Sequence, residues 1–136
     1  MDVLILIGRI FFVVLFLSSA VGHLTQTAAM AQYAGAKGVP SPALATRASG
    51  VLMLIGALMV LLGVWADVGA LLLFLVLLPT AVLMHAFWQQ GDAGARQQEM
   101  IQFNKDLALA GAALALFAFF VKTGDGLGLT LTGPLF

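Results

Sequence analysis

The sequence predicts an all-α membrane protein, an antiparallel bundle of four transmembrane helices. Three observations carry that reading. Only 9% of the 136 residues are charged while 62% are hydrophobic, against about 25% charged in an ordinary soluble domain. Such a chain cannot cover itself with charge, so its surface must face lipid. The apolar residues fall into four runs that reach, or nearly reach, the roughly 20 residues a helix needs to cross the hydrocarbon. The segments between the runs are polar or rich in glycine and proline.

The first span covers about residues 3–22, with Arg9 as its only charge. Its start, MDVLILIG, lacks the positive n-region of a cleaved signal peptide, so it reads as retained. The long connection GHLTQTAAMAQYAGAKGVPSPALATR has room for a short interfacial helix around Ala28–Ala36. Ser41 then reads as a helix N-cap with Pro42 at the first helical position. The second span, about 43–66, therefore begins outside the hydrocarbon. WADVG is a tight turn into the third span, about 68–88, which ends in LMHAFWQQ. QQGDAGARQQEM is a polar loop running into a pre-membrane helical turn. The last apolar run, Leu107–Val121, is too short to cross at about 1.5 Å per residue. The fourth span is therefore drawn back to about 101–121, which brings Asn104, Lys105 and Asp106 to the membrane boundary. Residues 1–122 make one four-helix domain. Residues 123–136, rich in glycine and threonine, make an irregular tail lying along the surface or against a partner.

The chain has no cysteine, which excludes disulfides, thiol exchange, cysteine-ligated iron–sulfur clusters and covalent c-type haem. Formal net charge is zero and there is no basic run, so nucleic-acid binding has no electrostatic basis. No phosphate-binding loop, nucleotide fingerprint or HExxH metal motif is present.

Up-and-down threading puts both long loops on one side, and the polar residues collect there. His23 ends the first span, Arg47 starts the second, His85 and Trp88 end the third, and Asn104, Lys105 and Asp106 start the fourth. His23, His85, Trp88, Asn104 and Asp106 are the candidate cofactor-binding residues, and Asp106 is the favoured partner of His85 because a carboxylate accepts from an imidazole. Each has a plainer reading: wet-tipped interfacial histidines, an aromatic belt for Trp65 and Trp88, and a self-neutralising Lys105–Asp106 pair. Arg9 lies some two turns inside the first span, where charge is costly and marks a function or a partner. Its structural alternative is to snorkel to the short-turn face and meet Asp2 or Asp67. Arg9, Phe16 and His23 share one helix face within roughly 40°. Ser49, Gly56 and Gly63 on the second helix, and Asn104, Ala108, Gly111 and Ala115 on the fourth, form small-residue stripes of the kind that lets helices approach closely in lipid. Lys37, Arg47, Arg96 and Lys105 lie on the long-loop side, against Lys122 and the embedded Arg9 on the other. The positive-inside bias thus places the long loops in the cytoplasm.

Gly8-Arg9 inside the first span, GHL closing it, YAGAKGVPSP leading into the second, HAFWQ ending the third and FNKDLALAG opening the fourth resemble the DoxX family of small bacterial membrane proteins. The likeness runs from about Gly8 to Phe120. It implies a four-helix bundle in the bacterial cytoplasmic membrane. It also implies a link to redox complexes, such as a thiosulfate:quinone oxidoreductase or assemblies of oxidative-stress defence. Two departures stand out. Many relatives carry a glutamate early in the second span where this chain has Ser49, and Lys-Asn where it has Lys105-Asp106.

No residue set amounts to a catalytic constellation. The first reading is an accessory membrane subunit of a redox-linked complex, set in the lipid bilayer and packed against other membrane or redox subunits or further copies of itself. The second is an oxidoreductase module binding quinone or haem at the long-loop end. There, His23 and His85 would act as hydrogen-bonding groups or axial ligands and Trp88 as an aromatic wall. An oligomeric transporter or small-solute channel using Arg9 is third.

Overall fold

A computed structural model describes all residues, 1–136, and contains helices but no strands. Four of its helices are long and apolar enough to cross a membrane: α1 (Asp2–Thr25), α3 (Pro42–Leu62), α4 (Ala66–Met84) and α5 (Ala93–Thr123). A short helix, α2 (Thr27–Ala36), lies between the first two, and single 3-10 turns occupy Phe87–Gln89 and Gly124–Gly126. The long helices pack in the order α1, α3, α4, α5, with α2 laid on α3. Val13, Phe16, Ala57, Val60, Leu73 and Ala113 are among the buried residues that form the core. Large apolar side chains such as Leu4, Phe11, Val51, Leu75, Leu107 and Leu114 stay exposed, as a lipid-facing surface requires.

Several boundaries differ from the sequence reading. Ser41 does precede α3, but its backbone is left-handed and its hydroxyl does not cap the helix; Pro42 alone opens it. Helix α4 stops at Met84 instead of running to Trp88. Helix α5 begins at Ala93, where the Asp92 carboxylate accepts from the Ala95 N–H at 2.8 Å. Thirty-one residues at about 1.5 Å each give roughly 46 Å, so about three turns of α5 project beyond a hydrocarbon core of about 30 Å.

The small-residue stripes behave differently from one another. On α3, Gly56 lies against the Gly69 carbonyl of α4, and a Cβ on Gly69 would stand 2.6 Å from Met59 Cβ and 2.8 Å from the Gly56 carbonyl oxygen. These two glycines set the close α3–α4 contact. On α5, Asn104, Ala108, Gly111 and Ala115 are all exposed, and nothing lies within 4 Å of a Cβ built on Gly111. The buried face of that helix is instead Asp106, Ala110, Ala113 and Phe120.

At the short-turn end, Arg9 is 1% exposed. The expected partners, Asp2 and Asp67, do not meet it. Its Nε donates to the Val60 carbonyl at 2.7 Å, Nη2 to the Leu61 carbonyl and Nη1 to the Leu129 carbonyl at 2.9 Å. The last carbonyls of a helix lack intrahelical donors and carry partial negative charge, so a buried guanidinium suits the end of α3 without any carboxylate. Gly63, left-handed at the C-cap, returns its N–H to the Met59 carbonyl. The tail completes the set: Leu131 N–H reaches the Leu62 and Gly63 carbonyls, and Thr132 N–H reaches Gly63. Asp67, fully buried in the first turn of α4, accepts from the N–H groups of Leu135 and Phe136 at 2.9 and 3.0 Å. The tail thus folds back over the protein's own short-turn end.

Candidate functional site

At the opposite end, a cleft of about 440 Å³ lies between α2, the first half of α3 and the second half of α4. Met30, Leu52, Leu75, Val76, Leu83 and Met84 supply much of its apolar wall, while His23, Tyr33, Thr46, Ser49, Thr80 and His85 bring the polar atoms. The volume sits within the roughly 300–1,000 Å³ of small-molecule sites.

Helix α1 carries His23 in its last turn, on the same face as buried Arg9 and Phe16. Gly50 of α3 lets that turn come close, since a Cβ there would stand 2.8 Å from His23 Cβ. His23 Nδ1 consequently reaches the Thr46 carbonyl at 3.1 Å and Ser49 Oγ at 2.9 Å. His85 follows directly on α4 and lies between two carboxylates of α5. Its Nδ1 donates to Glu99 at 2.8 Å, and its Nε2 faces buried Asp106 at 3.7 Å, an ion-pair distance. Each carboxylate has a lysine behind it, Lys37 on Glu99 and Lys105 on Asp106 at 3.6 Å. Tyr33 also donates to Glu99, at 3.3 Å. Glu99 therefore ties Tyr33 and His85, both on the cleft wall, into one chain.

Of the residues picked out from sequence, His23 and His85 share the cleft and Asp106 stands behind His85. Trp88 and Asn104 are not brought to it. The early end of α4 swings Trp88 onto Phe87 and Phe103, with ring centroids 5.2 and 5.6 Å away, and Asn104 is exposed on the outer face of α5. Glu99, Lys37 and Tyr33 were missed. Glu99 lies seven residues before Asp106, two helical turns along the same face. An α5 start at the Asp92 cap would have placed it there.

Burial raises the Glu99 carboxyl, but hydrogen bonds from Lys37 and His85 outweigh it and hold the group below its usual 4.5. The bond to Glu99 holds the Lys37 ammonium above its usual 10.5, against desolvation. A depressed acid contributes stability above its unfolded pKa and loses it as pH falls through the folded one; a raised base does the reverse. The link is thus complete between pH 4.5 and 10.5. The melting-temperature gap between the parent protein and Glu99→Gln is expected to close as pH falls below 4.5. A gap unchanged down to about pH 3 would show that the carboxylate contributes nothing through its charge.

The DoxX family model matches residues 4–86, more than half of the chain. The protein belongs to the DoxX family. Inner membrane protein YphA of Escherichia coli (strain K12) is 34% identical over 115 residues, which cover 84% of this chain and 81% of YphA. No solved structure matches this chain. Four spanning helices and an inner-membrane relative make this DoxX protein a multi-pass protein of the cell membrane. The matched DoxX segment holds every residue that lines the cleft, while Glu99 and Asp106 lie beyond it.

Proposed function

We propose that this DoxX protein is an accessory membrane subunit of a redox-linked complex, and that its cleft holds the headgroup of a quinone-class molecule. The observation that carries the reading is the cleft itself. Its walls are apolar, and its polar atoms sit at the ends of spanning helices, the depth at which a lipid-soluble molecule with a polar ring would rest. Haem has less support. His85 is held on one side by Glu99 and faces Asp106 at 3.7 Å on the other, which leaves His23 as the better placed of the two for an axial bond and favours no paired ligation. The exposed face of α5, with Asn104, Ala108, Gly111 and Ala115, supports packing on another membrane subunit, because such stripes allow close approach in lipid.

Protein in nanodiscs, freed of endogenous quinone, is expected to bind a short-chain ubiquinone–ubiquinol couple saturably, beyond partition into empty discs. Ala48→Trp, which fills the cleft from α3, should abolish that binding while leaving the melting temperature nearly unchanged. Purely linear partition in both redox states would end the quinone reading.

A further inference from the structure

The hydrogen bonds around the cleft determine which kind of headgroup it can recognise. His23 Nδ1 points at the Thr46 carbonyl, which can only accept, so Nδ1 carries the proton. The second atom near Nδ1, Ser49 Oγ, directs its own hydrogen to the Thr46 carbonyl at 3.0 Å, and so accepts from His23 as well. A neutral imidazole has one donor and one acceptor nitrogen. In that neutral form Nε2 is a lone pair. It bonds to no protein group, and it is not among the polar atoms sealed off inside the protein.

The remaining donors on the cleft wall are already engaged. Tyr33 donates to Glu99, Thr80 to the Val76 carbonyl at 2.8 Å, and His85 Nδ1 to Glu99. Only the Thr46 hydroxyl is uncommitted, and a hydroxyl can act either way. On α4, Pro79 has no N–H to return to the Leu75 carbonyl, so this stretch of the wall has one donor fewer. The cleft therefore offers more acceptors than donors.

We infer that the cleft takes its ligand in the hydroxyl-bearing form, a hydroquinone or other alkylated phenol, whose O–H donates to Nε2 of His23. This rests on the reading of the cleft as a quinone-class site and adds which redox form it favours. A quinone carbonyl at the same place would set one lone pair against another, leaving both buried and unmatched.

The test uses a pair of probes that differ only in the donor and carry no redox chemistry, 4-heptylphenol and 4-heptylanisole. Binding is measured to the full chain in phosphatidylcholine–phosphatidylglycerol nanodiscs and corrected for partition into empty discs. The phenol should bind about tenfold more tightly, the worth of one net hydrogen bond. His23→Phe should erase the difference between the two probes. Equal affinities in the parent protein, or a tighter anisole, would overturn the inference and leave the cleft as a binding site. A preference that survives His23→Phe would overturn the assignment to His23. No saturable binding of either probe, together with none of the quinone couple, would overturn both readings. Nitrogen NMR gives a check that does not depend on the variant folding, since the chain has only two histidines. Nε2 of His23 should be unprotonated in the free protein and shift on adding the phenol but not the anisole. A protonated Nε2 in the free protein would refute the inference.

Discussion

Arg9→Leu is expected to yield little folded protein. The change strands the carbonyls of Val60, Leu61 and Leu129, all served by one guanidinium at the buried end of α3. A buried polar group left without its partner costs about 1–3 kcal/mol. Losing the desolvation penalty of the charge offsets part of this. Three stranded carbonyls still represent a large share of the roughly 5–15 kcal/mol that holds a domain together. Arg9→Lys keeps the charge on a point-like ammonium that cannot reproduce the planar fork, so it should fall between the two. Thermal unfolding in mild detergent orders the three proteins. An Arg9→Leu protein melting within a few degrees of the parent would mean that the carbonyls find other donors.

Gly69→Ala is the second large effect. The added Cβ would stand 2.6 Å from Met59 Cβ, 2.8 Å from the Gly56 carbonyl oxygen and 3.1 Å from the Val60 nitrogen. Two of these atoms are backbone and the third is the root of a side chain, so the α3–α4 contact must open. Overpacking of this kind costs about 1–3 kcal/mol, and the movement would also spread to the Arg9 carbonyls on the same turn of α3. Gly111→Ala is the matched control, since its Cβ would meet nothing. It should be neutral or raise stability slightly, because alanine favours a helix by about 0.5–1 kcal/mol over glycine. Equal melting temperatures for the two variants would show that the α3–α4 contact is looser than the glycine spacing implies.

The four helices were legible because composition and run length govern insertion into lipid, and neither depends on tertiary detail. The gathering of His23, His85 and Asp106 at one end follows from threading alone. What sequence could not show was rotation. Helix α5 is apolar around much of its length, so nothing in its pattern says that Ala110 and Ala113 face inward while Gly111 and Ala115 face out. Trp88 was misplaced by the four residues between the expected and actual ends of α4. Glu99 was hidden in a stretch read mainly as loop. The partners of Arg9 were invisible for a deeper reason: backbone carbonyls are present at every residue and leave no mark in a sequence.

The span of the Arg9 contacts along the chain bears on how the molecule is made. Its acceptors on α3 lie 51 and 52 residues downstream, and the one on Leu129 lies 120 residues downstream. At about 5–20 residues per second, the ribosome reaches Leu129 some 6–24 s after Arg9. Throughout that interval the first helix carries a cation whose final partner has not been synthesised. The guanidinium gains its two α3 acceptors only once that helix has been made, and its third only with the tail.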